Sequence, residues 1–414
     1  MTNELTKTEL GSLLSFANGR TSPDRAEGLP YPVYGSNGVI GYASEANANA
    51  NSIIIGRVGS YCGSLYLSKQ RCWVTDNAIR ATAREGNDPR FLFYLLCTLN
   101  LNNWRVGSGQ PLLNQDILSR IPTAVPEFTE QRAIADVLAA LDDKIERNRQ
   151  TAQTLEQLAH AIFRAWFIDF EPVKAKANGA TIFDSMPQAA FDTLPEKLVA
   201  DSKHPSFGPV PEGWGVKPIS AVFEINPSRK LRKGELAPYL DMKNMPTVGH
   251  APDKWVKREF GSGMKFVNGD TLLARITPCL ENGKTALVDF LIDGQVGWGS
   301  TEYIVLRPRS PLPAVFGYCL ARATEFRDHA IQNMRGTSGR QRVAPDALDH
   351  FYSAIPEERI ASAFGEVVQP MFDCIRAGMN EVRRLAELRD YLLPKLLSRE
   401  VRVNVRASDA EATI

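Results

Sequence analysis

Hydrophobic positions in this chain follow two rhythms, and the change from one to the other happens twice. From Leu10 to Pro126 the apolar runs are short: Ser52-Ile53-Ile54-Ile55 has the form of a buried strand, and glycine turns at Gly35-Ser36-Asn37-Gly38 and Gly59 to Gly63 break the pattern. Phe91 to Leu101 has the form of a short apolar helix. After Pro126 the spacing becomes helical. Ile134, Leu138, Leu141, Ile145, Asn148, Ala152, Leu155, Ala159, Ile162 and Trp166 alternate steps of four and three. A seam kept over several heptads predicts a long helix that packs against another helix.

The second half repeats the order. Turns and strands start at Trp214, with strands at Thr271-Leu272-Leu273-Ala274-Arg275 and Tyr303-Ile304-Val305-Leu306 and a helix over Val315 to Ala323. A second seam follows through Ile360, Phe364, Val367, Met371, Cys374, Gly378, Leu385, Leu388 and Leu392, with Glu381 interrupting it and Val382 compensating. Pro370 and Pro394 are expected to kink or end helical segments. Some forty residues at about 1.5 Å each give a rod of roughly 60 Å. An antiparallel helix pair holding two globular units apart is the economical arrangement. Asn148 at a seam position either fixes register or lies at the seam's edge.

The repetition is also literal. Ser108-Gly109-Gln110 to Pro126 (SGQPLLNQDILSRIPTAVP) aligns without a gap with Ser338-Gly339-Arg340 to Pro356 (SGRQRVAPDALDHFYSAIP), and Ile145, Leu155, Leu158, Ile162 and Phe163 fall on Ile375, Leu385, Leu388, Leu392 and Leu393. A period of about half the chain is too long for a solenoid. It predicts an α+β molecule of two pseudo-twofold-related globular units separated by the helix pair. The expected boundaries are 1–126 and 212–356 for the globular units, 127–170 and 357–400 for the helices, 171–211 for a connector and 401–414 for a polar tail. The connector is small and flexible in composition from Ala175 to Ala180 and rich in Pro and Gly from Ser202 to Gly213, so insertions should be tolerated there.

Composition narrows the class. The 414 residues are 43% hydrophobic and 23% charged, close to the globular average. No apolar run reaches the length of a membrane span, and Met1-Thr2-Asn3-Glu4 lacks a signal-peptide pattern, so a cytoplasmic protein without membrane contact is expected. The six cysteines (Cys62, Cys72, Cys97, Cys279, Cys319, Cys374) have no CxxC spacing, which favours buried thiols over disulfides or metal. A formal net charge of +1 argues against a general nucleic-acid coat. Positive charge is instead concentrated at Arg229-Lys230-Leu231-Arg232-Lys233, Lys254-Trp255-Val256-Lys257-Arg258 and Arg335 to Arg342, either as local phosphate-attracting patches or as ordinary solvated faces.

Catalytic constellations are sparse. The five histidines (His160, His204, His250, His329, His350) are scattered, with no HExxH and no metal-ligand spacing. Gly107-Ser108-Gly109 lacks the Lys-Ser/Thr of a phosphate loop. Ile225-Asn226-Pro227-Ser228 is not the Asn/Asp-Pro-Pro-aromatic motif of amino-methyltransferases. Asp270 with Glu281-Asn282-Gly283-Lys284 resembles a nuclease carboxylate set with one residue too many before the lysine. Recognition chemistry is better represented. Arg57, Ser60 and Tyr61 lie in a glycine-framed loop after the first strand, and Arg275, Thr277 and Asn282 in its counterpart. Gln110 and Arg340 occupy matching places in the repeated segment. Arg and Asn make bidentate contacts with guanine and adenine edges, and Ser and Thr bond to bases or phosphates. The alternative is that Arg57 and Arg275 are packing and capping residues.

The run Pro126-x-x-x-Glu130-Gln131-Arg132-x-Ile134, with Leu141-Asp142-Asp143-Lys144-Ile145-Glu146 and Phe163-Arg164-Ala165-Trp166-Phe167-x-Asp169-Phe170-x-Pro172-Val173, strongly resembles the specificity subunit of Type I restriction-modification systems. The close, Leu388-Arg389-Asp390-Tyr391-Leu392-Leu393-Pro394-Lys395-Leu396-Leu397-Ser398, resembles that family's C-terminus. The resemblance implies two target recognition domains, each reading half of a bipartite, asymmetric site in double-stranded DNA. It implies helices that set the unread spacer and dock two modification subunits, the seam residues Ile134, Leu138, Leu141, Ile145, Leu155, Ile162, Ile360, Phe364, Leu385, Leu388 and Leu392 among them. It further implies adenine N6 methylation by those subunits using S-adenosylmethionine, ATP- and Mg-dependent restriction or translocase subunits, and neither a cofactor, a metal nor a catalytic residue on this chain. Two departures stand out. The first unit opens at Leu10-Gly11-Ser12-Leu13 without the Pro-Glu-Gly-Trp seen at Pro211 to Trp214, and Glu357-Glu358-Arg359 follows Pro356 without the three-residue gap that precedes Glu130. A self-contained nuclease or methyltransferase would show activity as the chain alone, and a coiled-coil scaffold would show no salt-dependent DNA binding.

Overall fold

The computed structural model describes residues 5–403 apart from 107–111, 205–206, 253 and 338. Gln110, Ser338 and residues 404–414 of the expected tail lie outside the described residues. The chain divides into two units, Met1–Ile145 with Arg384–Ile414, and Glu146–Arg383. Each of the two long helices therefore contributes one part to each unit.

The first unit runs β1 (Thr6–Glu9), α1 (Leu10–Leu13), β2 (Leu14–Asn18), β3 (Tyr31–Gly35), β4 (Gly38–Ala43), β5 (Ser52–Gly56), β6 (Leu65–Ser68), β7 (Trp73–Val74), β8 (Ala78–Ala83), α2 (Pro89–Thr98), α3 (Gln115–Ser119), β9 (Pro122–Val125) and the first half of α4 (Phe128–Phe167). Its main sheet has the order β2-β8-β5-β6, all antiparallel. A smaller sheet, β4-β3-β7, pairs β3 antiparallel to β4 and parallel to β7, and β1 pairs with β9. β5 is apolar at consecutive positions because both its faces are covered. Ile53 and Ile55 join the core under α2, while Ile54 joins a second cluster with Cys72 and Val74. Asp88 caps α2, accepting from the Arg90 and Phe91 amides.

The second unit takes the rest of α4, then α5 (Glu171–Ala177), α6 (Gln188–Phe191), β10 (Leu198–Ala200), β11 (Pro209–Pro211), β12 (Gly215–Pro218), α7 (Ile219–Val222), β13 (Phe223–Ile225), β14 (Leu236–Leu240), β15 (Val256–Glu259), β16 (Met264–Phe266), β17 (Thr271–Ala274), β18 (Thr285–Leu287), β19 (Gly297–Gly299), β20 (Tyr303–Pro308), α8 (Ala314–Arg322), α9 (Thr324–Gln332), β21 (Met334–Arg335), β22 (Arg342–Val343), β23 (Tyr352–Ile355) and the start of α10 (Glu358–Leu397). The main sheet, β13-β20-β17-β18, repeats the order and senses of β2-β8-β5-β6. β15-β14-β19-β16 repeats the antiparallel and parallel pairings of β4-β3-β7 and adds one strand. β12 pairs with β23 as β1 does with β9. The duplication seen in the sequence is thus a duplication of topology.

Within each unit the helix parts run antiparallel. Asp142 meets Arg389 in the first, and Asn148 meets Glu381 in the second, Nδ2 donating to Oε2 at 2.8 Å. Asn148 also donates to the Gly378 carbonyl at 3.4 Å, so the two polar interruptions of the seams, Asn148 and Glu381, face one another. On α4, Ile134, Leu138, Ile145, Ala152, Ala159, Ile162 and Trp166 are buried, whereas Leu141 and Leu155 are half-buried.

The second seam departs from its expected phase. Ile360 and Phe364 are buried, but burial continues at Val368, Phe372 and Ile375 rather than at Val367, Met371 and Cys374, and Cys374 is exposed. Consecutive steps of four move the apolar stripe one position round the helix. Val382 and not Glu381 is buried, Leu385 and Leu392 are half-buried, and Leu388 is 44% exposed. Leu388 is therefore not a seam residue, and its repeat partner Leu158 is likewise 46% exposed.

Other expectations are also corrected. Helical structure runs unbroken through Pro370 and Pro394. Each removes only its own N–H from the ladder, and both sit on the exposed side, where water serves the freed carbonyl. The connector is ordered and packed: Glu171–Ala177 is helical, and Phe170, Val173, Met186, Phe191, Leu194 and Val210 enter the second unit's core. These large apolar side chains hold the connector against that core, so insertions beside them should be costly. All six cysteines are free thiols, but Cys97 and Cys374 are exposed rather than buried.

Candidate nucleic-acid interface

Arg57 stands one residue past the last ladder pair of β5, Gly56 with Ala78. Its amide donates to the Asn77 carbonyl at 3.0 Å, and its carbonyl accepts from the Leu113 amide at 3.1 Å. Arg275 stands one residue past the last ladder pair of β17, Ala274 with Tyr303. Its amide donates to the Glu302 carbonyl at 3.0 Å and its carbonyl accepts from the Val343 amide at 2.9 Å. Leu113 and Val343 are aligned residues of the repeat, separated by the same 230 positions as Asn148 and Gly378. One backbone frame, built twice, presents the two arginines.

Around Arg57 the tip is tightly closed. Gly63 donates to the Gly56 carbonyl and Gly56 to the Ser64 carbonyl, each at 2.8 Å. The Ser64 hydroxyl donates to the Ser36 carbonyl at 2.6 Å, and the Ser36 hydroxyl donates to Asn77 O. A Cβ on Gly56 would lie 2.2 Å from the Tyr61 carbonyl oxygen, so only glycine fits. Cys62 lies behind the loop, where burial pushes its thiol up, and it donates to the Arg57 carbonyl at 3.2 Å. Ser60 and Tyr61 are exposed at the surface of this turn. Among the described residues Arg57 has no carboxylate within ion-pair distance.

Around Arg275 the electrostatics differ. Glu302 takes the place of Asn77 and lies 3.9 Å from Arg275 Nε. Arg342 holds the same carboxylate from the other side, with Nε and Nη2 at 2.8–3.0 Å, which raises the Arg342 guanidinium further above its ordinary value. The Thr277 amide donates to the Gln341 carbonyl at 3.0 Å, so Thr277 and Arg340 reach the same tip. Asn282 is exposed on the β17–β18 turn, with its amide donating to the Pro278 carbonyl at 2.9 Å. Arg322 supports that turn from beneath through the Gly283 and Thr285 carbonyls at 3.0 and 3.1 Å. Arg275, Thr277 and Arg340 are thus brought together, with Asn282 on the same β17–β18 connection. Arg342 and Glu302 were not selected from the sequence, because Glu302 is remote from Arg275 until β20 pairs with β17.

The nuclease-like carboxylate set is not assembled. Asp270 is fully buried at the far end of β17, held by Arg229 at 3.1 Å and Arg307 at 3.2 Å. Lys284 donates to the Met242 carbonyl at 2.6 Å, and Glu281 faces solvent. Among the described residues no group of three or more His, Cys, Asp and Glu side chains has metal-binding geometry. No helix of the described residues is long and apolar enough to cross a membrane.

Residues 3–157 match the family model of the Type I restriction modification DNA specificity domain. The chain is 25% identical over 364 residues to the Type I restriction enzyme HindI specificity subunit of Haemophilus influenzae, covering 76% of this chain and 77% of that protein. Over most of its length the chain is thus similar to Type I specificity subunits. Another specificity subunit, MjaIX of Methanocaldococcus jannaschii, is 26% identical over 335 residues, covering 77% of this chain and 71% of the relative. The fold is shared with the S subunit of the Type I restriction-modification system from M. genitalium, with a TM-score of 0.61 at 14% identity over 95% of this chain and 96% of that one. The matched residues 3–157 take in the Arg57 loop and most of α4, and the second unit repeats their strand order.

Proposed function

We propose that this chain is the DNA sequence-recognition subunit of a Type I restriction-modification complex, binding a bipartite asymmetric site in double-stranded DNA and carrying no active site of its own. The observation that carries this proposal is the repeated loop frame. Arg57 and Arg275 are held by matching backbone bonds but set in different charge surroundings, as two readers of unlike half-sites require. In this account Ser60, Tyr61 and Gln110 act with Arg57, and Thr277, Asn282 and Arg340 act with Arg275. Two recognition domains of like topology, one in each half of the chain, read the two half-sites. Helices α4 and α10, each about 60 Å long, set the unread spacer.

Two modification subunits dock on the helices, with the exposed Leu158 and Leu388 as repeat-equivalent anchors. These subunits bind S-adenosylmethionine and methylate adenine N6, and restriction subunits using ATP and Mg complete a cytoplasmic assembly. The test compares the purified chain with the chain plus its modification subunits. The complex should bind duplex DNA in a salt-dependent way and methylate it, and the chain alone should do neither chemistry. Methylation or cleavage by the chain alone would overturn the proposal.

A further inference from the structure

The second unit carries a basic surface that the recognition loops do not use. The segment Arg229 to Glu235 leads into β14 and lies beside the end of β15. Gly234 donates to the Phe260 carbonyl at 2.9 Å and Phe260 to the Glu235 carbonyl at 2.8 Å. Leu231 is buried against Ala237 and Trp298, and the Lys265 ammonium clamps the Arg229 and Leu231 carbonyls, each at 3.2 Å. The loop is therefore anchored, and Lys230, Arg232 and Lys233 project from it into solvent. Beside them β15 is an edge strand with all four residues exposed, adding Lys257 and Arg258.

Arg258 is itself held in place. Its guanidinium lies 5.1 Å from the Tyr239 ring centroid and 6.0 Å from that of Trp298, and those rings are 4.4 Å apart. Among the described residues, none of Lys230, Arg232, Lys233, Lys257 and Arg258 has a carboxylate within ion-pair distance, and the acidic residues of the segment before β14 and of β15 itself are Glu235 and Glu259. Lysine on an edge strand also blocks edge-to-edge pairing. That role does not account for three further cations on an anchored loop. In the first unit β3 and β4 have no lysine or arginine, and the segment before β3 carries two exposed arginines, Arg20 and Arg25, where the segment before β14 carries three exposed cations.

We infer that this basic surface binds the phosphate backbone of duplex DNA outside the bases that are read, so that the second unit supplies a sequence-independent share of the affinity. The inference rests on the DNA-recognition function proposed above. Phosphate contacts position a protein on the duplex and carry no sequence information, and removing any of them lowers the dependence of affinity on salt.

The test uses the full chain assembled with its modification subunits, titrated with a fluorescent duplex containing the methylated site across a salt series. K230Q/R232Q/K233Q/K257Q should weaken binding to all duplexes and flatten the slope of log K against log salt by about 0.9 for each phosphate no longer neutralised, leaving the methylated motif unchanged. The variant K230R/K233R/K257R should keep the parental slope, which separates charge loss from misfolding. An unchanged slope in the neutralised variant, or an altered motif, overturns the inference. Loss of a modification subunit at an unchanged slope also overturns it and assigns the surface to protein docking. If the parental complex shows no salt-dependent DNA binding, the recognition function itself falls.

Discussion

Asp142 and Arg389 join the two helices of the first unit, Arg389 Nη1 donating to Asp142 Oδ1 at 2.8 Å. The other carboxylate oxygen accepts from the Tyr94 hydroxyl of α2 at 2.7 Å. Two stretches that carry the family resemblance, around Leu141-Asp142-Asp143 and Leu388-Arg389-Asp390, are thus partners in space. Their side chains are 31% and 30% exposed, so solvent screens the pair. Asp142→Ala should cost about 1–2 kcal/mol, most of it from leaving Tyr94 without its acceptor. Faster amide hydrogen exchange in α2 and in the last turns of α10 would register the loss, and unchanged exchange would show the pair to be incidental.

Gly56→Ala places a methyl group 2.2 Å from a backbone oxygen at the tip that holds Arg57. Recognition of one half-site should fall while the other is kept, and Arg57→Ala should affect that same half. Arg275→Ala should affect the opposite half. Binding to duplexes randomised in one half at a time distinguishes the three variants. Equal loss at both halves would contradict the assignment of one loop to each half.

Glu156 gives a prediction about pH. Burial acts to raise its carboxyl, but hydrogen bonds from His160 and Tyr318 and the charge of Arg322 outweigh burial and hold it below its ordinary value of 4.5. The Tyr318 hydroxyl donates to Glu156 at 2.5 Å, and Arg322 donates to that hydroxyl at 3.0 Å. A carboxyl that titrates lower folded than unfolded contributes fully above the unfolded value, and the contribution is lost as pH falls through the folded one. Stability of the second unit should therefore decline below about pH 4.5, and Glu156→Gln should flatten that decline. Thermal midpoints measured from pH 3 to pH 6 would show this, and identical acid limbs would count against it.

Leu158→Asp and Leu388→Asp change exposed leucines at equivalent places in the repeat. Each should remove one modification subunit from the assembly with little effect on the fold, and the double variant should remove both. Native mass of the purified complexes reads this directly. A full complement of subunits in either single variant would move the docking site elsewhere.

Much of this structure was legible in the sequence because period and repetition report on burial. Consecutive isoleucines at 53–55 marked a strand covered on both faces, and the aligned segments ending at Pro126 and Pro356 marked a repeated frame. The phase of the second seam was not legible locally. Val367 and Val368 are equally apolar, and only packing makes the second the buried one. The repeat itself held the answer, since Leu138 aligns with Val368 and Ile145 with Ile375. The connector's order was hidden because its anchors, Phe170, Val173, Met186, Phe191 and Leu194, are spaced without a period among small and polar residues, and only packing against the second unit's core brings them together. Glu302 and Arg342 were missed because they join Arg275 only through strand pairing, which no short motif encodes.

Long-read methylation sequencing is the most direct measurement, applied to DNA from cells expressing this chain with its modification subunit and from cells lacking only this chain. A bipartite motif with N6-methyladenine in both halves, present only when the chain is present, is the predicted result. The same methylation without the chain, or none despite a confirmed complex, would contradict the assignment of sequence recognition to this subunit.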